Sequence, residues 1–150
     1  MQTAWTSRAR LGLCAGLLAT LTVQPAQDGS AQSASAAGRG DASRGGTLFA
    51  TRPCASCHDI TRPWPGGEIC PNLGNIATEA ARIVRSREYR GKAHTAAQYI
   101  RESIVDPNAY IVPGAGYRMA DGQSVMPKDF GTTLSAGEID DLVAFLLTRR

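Results

Sequence analysis

Cys54, Cys57 and His58 stand together in "RPCASCHDI", residues 52–60. Three chemistries use cysteines at this spacing: zinc binding, dithiol redox and covalent haem attachment. Structural zinc takes four Cys or His ligands, often as two paired clusters. Here a second C-x-x-C is missing, and Cys70, His58 and His94 would have to complete the set. A dithiol motif of the thioredoxin type belongs beside a strand–helix–strand pattern, and no strand-like alternation runs through this chain. C-x-x-C-H itself reads as a c-type haem attachment. Each thiol adds across one vinyl group, and the histidine beside Cys57 becomes an axial iron ligand.

A second axial ligand has three candidates. His94 opens a helical segment, where contact with solvent or the helix dipole accounts for it. Met119 and Met126 both fall in "NAYIVPGAGYRMADGQSVMPKDFG", residues 108–131, an irregular stretch. A thioether is a soft ligand on a flexible stem. The residues alone do not separate the two methionines.

The elements that must position these groups read as helices. "DASRGGTLFAT" starts at a plausible N-cap, Asp41. Its Gly45 and Phe49 share a face, and Gly45 with Gly46 suggests close approach of another backbone. "NIATEAARIVRS" is a short helix. In "HTAAQYIRESIVDP", Thr95 and Gln98 make a capping box, and Pro107 closes the segment. "LSAGEIDDLVAFLLTRR" carries a second box, Ser135 with Glu138. Its Ile139, Leu142, Val143 and Leu146 follow the spacing of a buried stripe. Arg149 and Arg150 sit where a helix dipole favours cations. "RPWPGGEICPN" is rich in Pro and Gly and reads as loop. The result is an all-α domain of about four helices with long loops. Loops of that length need an organising centre, and a large cofactor supplies one.

The chain has 150 residues, enough for one domain. Its net charge of +3, from 16 basic and 13 acidic side chains, does not argue for nucleic acid. Residues 1–37 read as a signal peptide and flexible lead, and residues 38–150 as the domain. Arg8 and Arg10 precede the apolar run Leu11–Val23, which is short for a membrane span and suits a secretory signal. Cys14 leaves with that signal. Cleavage is expected between Gln24 and Gly40, and no span is expected in the chain that remains. Export places the domain in an oxidising compartment, the periplasm. The odd count left there, Cys54, Cys57 and Cys70, suits a disulfide framework poorly.

Over residues 40–148 the chain resembles the class I mono-haem c-type cytochromes of bacteria. "GDASRGGTLFATRPCASCH" is similar to the family's opening helix and haem motif. "CPNLGNI" is similar to its G-P-N-L segment, and "SIVDPNAYIVPG" and "VMPKDFGTTLSAGEIDDLVAFL" to its second half. The resemblance implies the cytochrome c fold, with N- and C-terminal helices crossing so that Leu142 and Phe145 face Gly45 and Phe49. It implies one haem c joined to Cys54 and Cys57, with His58 and Met126 on the iron. Pro71 would lend its carbonyl to the imidazole N–H of His58. Cys70 departs from the family, which has Gly there, and reads as a free buried thiol.

One-electron transfer, not enzymatic catalysis, is the function this implies. The expected partners are redox proteins, among them a membrane oxidoreductase or oxidase. Two alternatives stand beside it: a fixed haem subunit of a membrane redox complex, and a gas-binding or peroxide-reactive protein with a labile methionine. The basic stretch Arg82, Arg85, Arg87, Arg90 and Lys92 reads as a solvated face, a docking patch or a set of propionate partners. Trp64, Tyr110 and Tyr117 are loop aromatics whose roles the sequence leaves open.

Overall fold

The computed structural model describes residues 40–114 and 116–150. The secretory reading of Leu11–Val23, with Cys14, lies outside the described residues. Six helices follow in order: α1 (Ala42–Thr51), α2 (Cys54–Cys57), α3 (Ile76–Ile83), α4 (Ala96–Val105), α5 (Phe130–Thr133) and α6 (Ala136–Leu146). Four of them are the expected helices. The other two, α2 and α5, are single turns of four residues, too short to carry a hydrophobic period. The described residues hold no strand, only one isolated bridge between Arg118 and Ser124. None of their helices is long and apolar enough to cross a membrane.

The helix starts follow local chemistry. The Asp41 carboxylate accepts the free N–H groups of Ser43 and Arg44 at 2.8 and 3.1 Å, which the first turn of α1 cannot satisfy internally. Thr95 with Gln98 and Ser135 with Glu138 form complete reciprocal boxes at α4 and α6. Helix α6 ends at Leu146, so Arg149 lies beyond its last turn. The Arg149 guanidinium instead stacks over the Phe145 ring, 4.8 Å from its centroid.

The core is the crossing of α1 with α6, with α4 packed against α6 and α3 against α4. Gly45 and Phe49 are the buried residues of α1. A Cβ at Gly45 would sit 1.9 Å from the Asp141 carbonyl oxygen and 2.8 Å from Phe145 Cβ. Hence the backbones touch where glycine removes the side chain, and Phe49 meets Phe145 at 5.6 Å between ring centroids. On the far side Tyr89 packs edge-on against both Tyr99 and Tyr110, at 5.8 and 5.2 Å.

One polar clasp locks this crossing. Asp141 is buried at 6% exposure. Its carboxylate accepts the backbone N–H of Asp41 at 2.6 Å and two donors of Arg44 at 2.8 and 3.0 Å. The Arg44 bonds, opposed by burial, hold its pKa below the ordinary carboxylate value. A carboxylate depressed on folding stabilises at pH above its unfolded value, roughly 3.9. That stability is lost as pH falls through the folded value. Asp141→Ala is expected to cost about 1–2 kcal/mol at neutral pH, a range set by charge-assisted hydrogen bonds and reduced by the exposure of Arg44. Urea unfolding at neutral pH and near pH 3 checks this. The gap between wild type and variant should narrow in acid; an equal gap at both would contradict the clasp.

Candidate haem site

Helix α2 is one turn, so its first and last residues, Cys54 and Cys57, come to the same side of the chain. His58 follows as its cap. The backbone N–H of His58 donates to the Cys54 carbonyl at 2.9 Å, and its extended φ, ψ of −107° and 124° turn the ring away from the helix axis. All three described cysteines are free thiols. Cys54 is half-buried, and burial raises its pKa.

The Nδ1–H of His58 donates to the Pro71 carbonyl at 2.7 Å. This bond fixes the tautomer and leaves Nε2 as the free lone pair of a neutral imidazole. Burial lowers the His58 pKa, and the Pro71 bond opposes that only in part. Leu73 N–H reaches the Asp59 carbonyl at 2.7 Å and Gly74 N–H that of Arg62 at 2.9 Å. Asn75 Oδ1 takes the Trp64 N–H at 2.7 Å, and the Tyr117 hydroxyl donates to the Pro65 and Gly67 carbonyls at 3.1 and 2.8 Å. The Pro-Gly loop is thereby bound on both sides. Tyr117 acts across loops, which its sequence position does not reveal.

Met126 is set by a second ordered loop. The Met119 N–H donates to the Gln123 carbonyl at 2.8 Å and the Gly122 N–H to the Met119 carbonyl at 2.9 Å, closing a tight turn with Gly122 at its left-handed position, φ 83°. Ser124 N–H bonds to Asn108 Oδ1 at 2.9 Å, and the Ser124 hydroxyl accepts the Met126 N–H at 3.2 Å. Met126 is therefore held from two residues upstream, while Met119, 43% exposed, lies at the turn.

These loops and helices enclose a cavity of about 950 Å³, counting its open mouth. Cys54, His58, Pro71 and Met126 all line it, with Phe49, Leu73, Ile100 and Leu142 among its apolar walls. Cys57 instead borders an adjoining depression that shares His58. Met119 and His94 line neither space. The five basic side chains of residues 82–92 are exposed, and none lines the cavity. Propionate pairing by that stretch is thus not what the geometry favours. Trp64, Tyr110 and Tyr117 do line it.

The fit to haem follows from the donor set. The walls are apolar, and their polar members among the described residues carry no formal positive charge. Cys54 in the cavity wall and Cys57 in the depression beside it would meet the two vinyl groups. The lining also offers one imidazole nitrogen and one thioether able to ligate iron. Ile69, 63% exposed, stands at the rim of the cavity.

A family model described as Cytochrome c matches residues 42–150. No match was found among curated proteins or among solved structures.

Proposed function

The chain belongs to the cytochrome c family and carries covalent haem c, and from that premise we propose that it is an exported one-electron carrier with iron held between His58 and Met126. Membership carries the coarser statement: a mono-haem c-type cytochrome that transfers electrons. The finer reading rests chiefly on one observation. His58 donates a hydrogen bond from Nδ1–H to the Pro71 carbonyl and keeps Nε2 free, in the same cavity that Met126 lines.

Haem supplies an iron centre that alternates between two oxidation states. The chain's own residues do the rest. Cys54 and Cys57 tether the ring. Pro71 orients the imidazole and raises its basicity. The Ser124 hydroxyl holds the Met126 backbone so that the thioether is presented without a search. His/Met ligation raises the potential of a c-type haem, and burial among apolar walls tunes it further. With both axial positions filled, no site remains for substrate, and the electron passes at the rim near Ile69 and exposed Cys57. A redox protein, membrane-bound or free, is the partner this edge suits. Export and removal of the segment before Gly40 complete the proposal.

The test is an absorption spectrum of oxidised and reduced protein, run with acid–acetone extraction and intact mass. Low-spin spectra with a weak far-red sulfur–iron band, haem retained on the chain, and a mass beginning between Gln24 and Gly40 are expected. A high-spin spectrum with immediate carbon monoxide binding would replace the carrier reading by that of a gas-binding or peroxide-reactive protein.

A further inference from the structure

The last turn of α3 and the connection to α4 hold a concentration of charge that the haem site does not use. From Arg82 to Lys92 stand five basic side chains and one acidic, Glu88, whereas the rest of residues 40–150 holds eight basic and eleven acidic. The charge of the domain is thus divided, with a positive excess on this one connection and a negative excess over the remainder. Arg82 is paired with Glu79 at 2.8 Å. Arg85, Arg87, Arg90 and Lys92 are exposed and make no ion pair among the described residues. The acid that α4 brings to them, Glu102, is occupied. Its carboxylate accepts the Tyr89 hydroxyl, and the backbone N–H of Lys92 at 2.7 Å. The segment is also held in shape. Ala93 N–H donates to the Tyr89 hydroxyl at 2.8 Å, and those of His94 and Thr95 to Gln98 Oε1 at 2.9 and 3.1 Å. Tyr89 packs inward on Tyr99 and Tyr110, while its neighbours Arg87 and Arg90 stay exposed.

We propose that this connection is a docking face for an anionic lipid surface, and that its arginines hold the protein at a membrane. The make-up of the face selects lipid over an acidic protein. A protein interface places apolar and aromatic side chains at its centre, where charged ones are depleted. The exposed large hydrophobics of the described residues are Ile69 and Met119, and neither belongs to this segment. A layer of lipid headgroups needs no such centre. Three of the four unpaired cations are arginines, and a planar guanidinium donates two parallel N–H bonds to the oxygens of one phosphate. Attraction to a charged surface fades beyond the screening length, about 8 Å at physiological ionic strength, so the docking is reversible and sensitive to salt. None of the five basic residues lines the cavity or the depression beside Cys57. Docking therefore draws on residues other than those of the haem rim, and the inference stands whichever methionine meets the iron.

Co-sedimentation of the purified haem-loaded protein with lipid vesicles tests this. Vesicles of phosphatidylcholine alone are set beside vesicles that also contain phosphatidylglycerol. Binding is expected only to the second kind, and it should disappear in molar salt, where the screening length is about 3 Å. Each of Arg85→Gln, Arg87→Gln and Arg90→Gln should weaken it roughly fivefold, and the triple glutamine variant on the order of 100-fold. The triple lysine variant keeps the charge and should retain most of the binding. Arg62→Gln removes an exposed cation elsewhere and should have far less effect. Equal binding to both kinds of vesicle, binding that survives molar salt, or a triple glutamine variant that binds as wild type would overturn the inference. Loss of binding in the lysine variant as complete as in the glutamine variant would overturn it too, since charge would then not be the cause. Retention on immobilised polyglutamate through the same arginines, without binding to phosphatidylglycerol, would assign the face to an acidic protein and reject the lipid.

Discussion

Met126→Ala is expected to abolish the far-red band, convert the oxidised haem towards high spin and lower the reduction potential on the order of 0.1 V, within the roughly 0.8 V that axial ligands command. The thioether is the softer of the two proposed ligands and favours the reduced state of the iron. Met119 does not take its place, since it lies at an exposed turn and does not line the cavity. Carbon monoxide should then bind reduced protein at once, whereas in the wild type the thioether must leave first. Met119→Ala should change none of these readings. Band loss in Met119→Ala, with the band intact in Met126→Ala, would reverse the ligand assignment.

Gly45→Leu is expected to be the most damaging change away from the haem site. Even a methyl at this position would lie 1.9 Å from the Asp141 carbonyl oxygen. The obstacle is backbone, which cannot rotate aside. Overpacking costs about 1–3 kcal/mol where side chains can shift, and here α1 and α6 must separate. That separation also pulls Asp141 from the Asp41 N–H and unstacks Phe49 from Phe145. A loss at or above the upper end of that range is the expectation. Thermal or urea unfolding followed at the haem band reads it. A midpoint equal to wild type would contradict the crossing. Gly46→Ala is a milder control, since a Cβ there meets only the Phe145 ring at 3.1 Å or more.

What the sequence discloses depends on how local the determining physics is. Cys54, Cys57 and His58 are legible because a covalent tether demands fixed spacing. Both capping boxes are legible because each closes within four residues, and all were found as complete pairs. The face shared by Gly45 and Phe49 was also readable, but its partner on α6 came only through family resemblance. The same holds for Pro71 and for the choice between Met119 and Met126. Helices α2 and α5 span one turn each and leave no periodic trace. The Arg44–Asp141 bond joins residues 97 apart. Within α6, Asp141 looks like any polar residue of an amphipathic helix. The burial of Cys70 in the cavity wall depends on the path of the Pro-Gly loop, which is set by Tyr117, Asn75 and Asp59 from three different segments. No window of sequence contains that information.

The clasp between Asp41 and Asp141 joins positions 100 residues apart. Ribosomes make chains in order, at roughly 5–20 residues per second. The cysteine pair is therefore complete about 80 residues before α6 exists. For those several seconds α1 has nothing to bury Gly45 and Phe49 against, and the walls contributed by Leu142 and Leu146 are missing. Synthesis alone thus guarantees an interval in which the haem-binding thiols sit on an open chain. The last helix to be made is the one that closes it.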